Sequence, residues 1–219
     1  MGDVKQLVLD LIPLPLPTFD NFVPGRNREA WTRLREGPRP AASVLYLWGA
    51  AGSGKSHLLQ ALASADGTYV LRRGRLADVP GDQYHHLVDD VESLGDEGQV
   101  ALFHLINRAQ AANGSVIAAG SVAPRDLPLR PELASRLGSD QVFQLHPLDD
   151  EEKADALHAH AAARGFALRD DVVQYLLRHA RRDMASLISF LDALDKYSLE
   201  TGREITLPML REMSQPSLV

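Results

Sequence analysis

The 219-residue chain contains no cysteine. That excludes disulfide scaffolds, thiolate metal sites and cysteine nucleophiles, and it suits a reducing compartment. Long apolar runs are missing too. No stretch approaches the length of a bilayer span, and the N-terminus lacks a basic region followed by an apolar core. Neither a membrane anchor nor a signal peptide is expected. Excess positive charge is also absent, the formal net charge being −6. Tight nucleic-acid binding needs a basic face, so a whole-surface DNA binder is disfavoured against a protein partner or a nucleotide ligand. What remains is an ordinary globular composition, 45% hydrophobic and 24% charged, long enough for one large domain or one domain plus an appendage.

Three zones follow one another. Residues 1–17 form a tail in which Gln6-Leu7-Val8-Leu9-Asp10-Leu11 precedes Ile12-Pro13-Leu14-Pro15-Leu16-Pro17. Proline neither continues a helix nor sits in a central strand, so an extended tail is predicted, unusually rich in leucine. Residues 18–148 alternate short apolar runs with helical stretches. Strands are predicted at Val44–Trp48, Tyr69–Leu71, His85–Val88, Val116–Ala119 and Val142–Leu145, with a helix at His57–Ala63 and another carrying Val100, Leu102, Phe103 and Ile106. Such alternation implies an α/β fold, a parallel sheet with helices on both faces. Residues 149–219 lack strand signals. Acidic residues from Asp149 to Glu152 cap a first helix, others follow around Asp171–Arg178 and Met184–Ser198, and Thr206-Leu207-Pro208 opens a short last one. This zone is predicted to be a small helical bundle.

The chemistry concentrates at Gly49-Ala50-Ala51-Gly52-Ser53-Gly54-Lys55-Ser56, which matches G-x-x-x-x-G-K-[ST] between a strand and a helix. Glycines let backbone N–H groups face phosphate oxygens where a side chain would clash, and the helix N-terminus favours the same anion. Lys55 is expected to reach the outer phosphates and Ser56 to hold Mg2+. Gly49, Ala51, Gly52, Ser53, Gly54, Lys55, Ser56 and His57 are the candidate nucleotide contacts from this segment. In His85-His86-Leu87-Val88-Asp89-Asp90, Asp89 is the candidate second Mg2+ ligand and Asp90 the candidate for orienting a catalytic water. Adjacent strand residues point to opposite faces, so His85 and His86 make a poor metal pair. His158 and His160, two apart on a helix, face different directions.

These residues carry a resemblance. Thr18-Phe19-Asp20-Asn21-Phe22-Val23-Pro24-Gly25-Arg26-Asn27 resembles the leading segment of the bacterial replication initiator DnaA and its AAA+ relatives, and the phosphate loop, acidic pair and helical zone follow in that family's order. The resemblance implies an AAA+ module with a helical lid, and it puts Phe22, Val23 and Gly25 beside the adenine base. Glu132-Leu133-Ala134-Ser135-Arg136-Leu137 resembles the segment with the family's arginine finger, which makes Arg136 a catalytic group acting in trans. Arg181-Arg182-Asp183-Met184 matches the second sensor, with Arg182 best aligned to the arginine that touches phosphate from the lid. One departure stands out. Ser121 occupies the first sensor position, where the family usually has a residue such as aspartate. Serine can hydrogen-bond phosphate or water but supplies no negative charge, and Asp90 stands where many AAA+ ATPases use glutamate. Both point to weak or absent ATPase activity of the chain itself, with nucleotide held mainly as a regulatory ligand.

The initiator carries a DNA-binding domain after its AAA+ module. Here residues 149–219 have 13 acidic and 9 basic residues, and no further helix-turn-helix unit is read, so direct sequence-specific DNA binding is not expected. The Gln6–Leu11 hexamer resembles the peptide by which replication proteins dock on the β sliding clamp of DNA polymerase III. Gln6 would satisfy groups at a pocket rim while Leu7, Leu9 and Leu11 fill an apolar groove. An added edge strand, or a tail folded onto the core, is the competing reading of the same leucines. A clamp peptide joined to a DnaA-like module is similar to the regulatory inactivators of DnaA. That similarity implies bound ADP (or ATP) with Mg2+, DnaA and the clamp as partners, a homodimer as one assembly state, and a cytoplasmic location at the nucleoid. Two rivals remain at this stage: a DnaA-like adaptor or helicase loader, and an unrelated small-molecule kinase.

Overall fold

The computed structural model describes residues 16–37, 43–65, 69–73, 85–180 and 183–213. The clamp-peptide residues Gln6, Leu7, Leu9 and Leu11, and the lid-sensor candidate Arg182, lie outside them. The described chain divides into one compact unit spanning Pro17–Pro147 and a second that begins at Leu148.

The first unit is built on β1 (Val44–Trp48), β2 (Tyr69–Arg73), β3 (His85–Asp89), β4 (Ser115–Gly120) and β5 (Gln141–Gln144). All pairings are parallel and the order is β2-β3-β4-β1-β5. Strand β1, and β4 after Ser115, are apolar because both faces are covered, whereas β3 carries His85, His86 and Asp89 around Leu87 and Val88. In β1, Val44 and Tyr46 enter one core cluster while Leu45 and Leu47 enter another. In β4, Val116 and Ala118 alternate with Ile117 and Ala119 in the same way. The first cluster is closed by Leu102, Leu105, Ile106 and Ala109 of α3 (Asp96–Ala111) and by Leu133 and Leu137 of α4 (Pro131–Leu137). The second is closed by Ala30 and Leu34 of α1 (Arg28–Arg35) and by Leu58, Leu59, Ala61 and Leu62 of α2 (Lys55–Ala65). Helices therefore cover both faces, as the sequence pattern requires.

All five predicted strands form, with ends within a few residues. Helices α1 and α4 were not anticipated. The first buries only Ala30 and Leu34, so its apolar stripe is thin. The second is seven residues long and starts at Pro131, whose ring is tolerated only in a first helical turn.

Among the described residues the second unit contains helices α5 (Asp150–Ala163), α6 (Asp170–His179), α7 (Met184–Thr201) and α8 (Leu207–Met213) and no strand. Asp149 and Glu152 form a reciprocal capping box at the start of α5, with both bonds between 2.8 and 2.9 Å. Leu187, Leu191 and Leu194 line one face of α7 and meet Leu157 of α5, Val173 and Leu176 of α6, and Met209 and Leu210 of α8. Buried Asp195 of α7 is paired by Arg164, whose guanidinium reaches Asp195 Oδ2 at 2.8 Å.

Candidate nucleotide site

Because β4 lies between β1 and β3, the chain turns in opposite directions after β1 on the two sides of that strand. Parallel sheets bind ligands at such switch points, beyond the carboxyl ends of the strands. The loop Gly49–Gly54 stands there, leading from β1 into α2. It has no room for larger residues at two positions. A Cβ on Gly49 would overlap the carbonyl oxygen of Leu145, and one on Gly54 would lie 2.5 Å from Phe22 Cε2. Gly54 also has φ +96, a conformation that L side chains rarely adopt. At Gly52 the reverse holds: it is exposed, with nothing within 4 Å of a would-be Cβ, so the loop is open on its outer side.

Lys55 opens α2 and folds back over the loop. Its Nζ donates to Gly49 O at 2.6 Å and to Ala50 O at 3.0 Å, and stands 3.5 Å from Ser53 Oγ. Burial lowers the Lys55 pKa, while the negative charges of Glu92, Asp89 and Asp90 oppose that shift. An ammonium held by carbonyls inside an open loop, with the N-terminus of an 11-residue helix behind it, fits a polyphosphate. Ser56 lies half-buried in the first helical turn and Asp89 is buried at the end of β3. A hydroxyl and one carboxylate suit Mg2+, which keeps waters and phosphate oxygens as its remaining ligands. Among the described residues there is no group of three or more His, Asp or Glu side chains placed to hold a metal by itself.

The leading segment is joined to this loop by packing. The Phe22 ring lies over Gly54 and 5.3 Å from the His57 ring, centroid to centroid. His57 Nε2 is 2.9 Å from Thr18 O; a carbonyl only accepts, so Nε2 carries the hydrogen. Burial lowers the His57 pKa and thereby favours the neutral ring, against the Thr18 bond. Asn27 makes a reciprocal pair with the His146 backbone, both bonds at 2.8 Å, which ties the segment to the exit of β5. Val23 is half-buried beside Phe22, and Gly25 is exposed at the start of a single 3₁₀ turn. Gly54→Ala is expected to destabilise the unit by about 1–3 kcal/mol, since strain at positive φ adds to displacement of the Phe22 ring. A shift of the urea midpoint at unchanged slope measures it.

Asp90 has left-handed backbone, φ 57, and is exposed; its carbonyl accepts from Ser93 Oγ at 2.7 Å. The sequence reading missed Glu92, two residues on. Glu92 Oε1 accepts from the backbone N–H of Ser121 at 2.6 Å, so a carboxylate meets the residue that the resemblance makes the first sensor, whose own side chain supplies none. No local signal could have found it, because the pair is 29 residues apart. Gln99 was missed as well. It is buried in α3, donates to Leu94 O and accepts from Arg130 N at 2.9 Å, fixing the chain where α4 begins. A polar residue at a core position of a helix was the available hint.

Arg136 is in the last turn of α4 and exposed. Its guanidinium lies 6.0 Å from the centroid of the Phe103 ring, and no ion pair holds it among the described residues. Helix α4 and the phosphate-loop helix α2 pack on opposite faces of the sheet. The structure therefore brings Phe22, the loop, Lys55, Ser56, His57, Asp89, Asp90 and Ser121 to one end of the sheet, and leaves Arg136 turned outward from a different helix.

Comparison with known proteins supports the same architecture. The family model "Hda, lid domain" matches residues 150–213. Domain III of the replication initiation protein DnaA from Thermotoga maritima is 21% identical with a TM-score of 0.65, covering 93% of this chain and 100% of that one. The AMPPCP-bound DnaA of Aquifex aeolicus is 21% identical with a TM-score of 0.66, covering 88% and 68%. The Holliday junction branch migration motor RuvB of Thermotoga maritima is similar at 15% identity and TM-score 0.60, covering 94% and 72%. Among the described residues no helix is long and apolar enough to cross a membrane. Residues 150–213 thus match the lid domain of the Hda family, and they follow a phosphate-loop core that shares the fold of DnaA domain III.

Proposed function

We propose that the chain is a nucleotide-controlled inactivator of the initiator DnaA. The observation that carries this reading is the Hda-type lid at 150–213 following a phosphate-loop core with an exposed Arg136 that has no ion-pair partner among the described residues. In this reading the backbone of Gly49–Gly54 and the Lys55 ammonium bind the phosphates of ADP or ATP. Phe22, Val23 and Gly25 border the base, and Arg182 is the arginine that the resemblance matches to the family's second sensor. Ser56 and Asp89 hold Mg2+, which when bound neutralises phosphate charge. Arg136 then offers its guanidinium to the ATP of DnaA, where it stabilises charge on the transferring phosphoryl group. Gln6, Leu7, Leu9 and Leu11 dock the chain on the DNA-loaded β sliding clamp, which confines the activity to replicating DNA and prevents re-initiation. Asp90 serves at most a slow hydrolysis in the chain's own site.

The test follows ATP prebound to DnaA in the presence of clamp loaded on DNA. Hydrolysis is expected to rise on adding the chain, to require the clamp, and to be lost with Gln6→Ala. Persistence of the ATP under conditions where clamp and nucleotide both bind would remove the trans mechanism.

A further inference from the structure

We propose that Glu92 makes this site select nucleoside diphosphate over nucleoside triphosphate. The inference rests on the nucleotide reading above and adds the determinant of which nucleotide is kept.

The geometry singles out Glu92 among the acids of the site. It follows β3 on a single 3₁₀ turn, Val91–Ser93, and its Oε1 is held at 2.6 Å by the Ser121 N–H. That bond fixes the carboxylate at the end of β4, which lies next to β1 and the phosphate loop that follows it, at the position the resemblance above makes a sensor of phosphate or water. Gly120 leaves the space: a Cβ there would overlap the Tyr46 hydroxyl and lie 2.8 Å from Glu92 Oε2. Oε2 is buried and has no hydrogen-bond partner among the described residues. A carboxylate with one donor, shielded from water on its other oxygen, keeps most of its field. The Tyr46 hydroxyl does not quench it, because it donates to Val122 O at 2.9 Å.

The neighbouring acids are placed differently. Asp90 is exposed, so water screens it. Asp89 is the Mg2+ ligand of the proposed site, and a bound cation cancels its charge. Glu92 has neither relief. Of the carboxylates that act on Lys55, it acts most strongly. Going from diphosphate to triphosphate brings further negative charge to the end of the site where Glu92 is clamped. Like charges brought together in a half-buried setting oppose each other enough to shift affinity about ten- to a hundredfold.

Titration calorimetry of the full chain with Mg2+ and either ADP or AMPPCP tests this. The wild type is expected to prefer ADP. Glu92→Gln retains an oxygen for the Ser121 N–H and removes the charge, so affinity for AMPPCP relative to ADP should rise about tenfold or more. Glu92→Asp keeps the charge and should keep the preference. An affinity ratio unchanged in Glu92→Gln overturns the proposal, whether both affinities hold or both fall. So does loss of the preference in both variants alike, which would make reach rather than charge the determinant. If the wild type binds neither nucleotide, the nucleotide reading itself fails and the inference with it.

Discussion

Arg136→Ala is expected to reduce stimulated hydrolysis of DnaA-bound ATP by about a thousandfold or more, with the fold unchanged. Both halves of that expectation come from the position of the residue. Arg136 occupies the final turn of α4, exposed and without an ion-pair partner among the described residues, so truncation should shift stability by no more than about 0.5 kcal/mol. Its guanidinium lies over the Phe103 ring at 6.0 Å, a contact weak enough for the side chain to leave when a phosphate offers two oxygens. Arg136→Lys should restore little. Lysine brings a point charge where a planar fork is needed. Single-turnover release of phosphate from DnaA, at saturating chain and clamp, measures all three proteins. Full stimulation by Arg136→Ala would move the finger to another arginine.

Lys55→Met is expected to weaken nucleotide binding by about a hundredfold, the equivalent of one or two charge-assisted hydrogen bonds. Methionine keeps the length and packing of the stem and deletes the ammonium. The loss has a second component. Lys55 faces the negative charges of Glu92, Asp89 and Asp90, so its removal leaves phosphates to approach three carboxylates without a compensating cation from the loop. ADP affinity should therefore fall less in Lys55→Met combined with Glu92→Gln than in Lys55→Met alone. Calorimetry on the two variants and their combination reads that coupling directly. A double-variant effect equal to the sum of the two single effects would mean that the lysine and the glutamate act independently. Stimulation of DnaA by Lys55→Met should fall in parallel at fixed nucleotide and recover at high ADP, because the lysine governs occupancy of the chain's own site and not the chemistry in DnaA.

How much could be read beforehand depended on the range over which each feature is decided. The phosphate loop was legible because its requirements are local: glycines where Cβ atoms would collide, a lysine and a serine opening the next helix. Strands β1 and β4 announced themselves as apolar runs because both their faces are covered. The α5 cap at Asp149 and Glu152 was legible for the same reason, both bonds spanning three residues. Helices α1 and α4 escaped notice because a helix that buries two residues carries little periodic signal.

The rest waited for the sheet. Its order, β2-β3-β4-β1-β5, is what sets the ends of β1, β3 and β4 side by side, and no strand encodes its neighbour in its own residues. The departure at Ser121 looked, in one dimension, like a site short of a carboxylate; folding brings Glu92 to its backbone from 29 residues away. Phe22 likewise meets Gly54 only once the leading segment has been tied down, by Thr18 to His57 and by Asn27 to His146. The sequence by itself determined which groups could hold a phosphate, since backbone turns and helix starts are short-range matters. Which acids share that phosphate's space was decided by tertiary packing, because electrostatic neighbours are chosen by distance in the folded chain and not by separation along it.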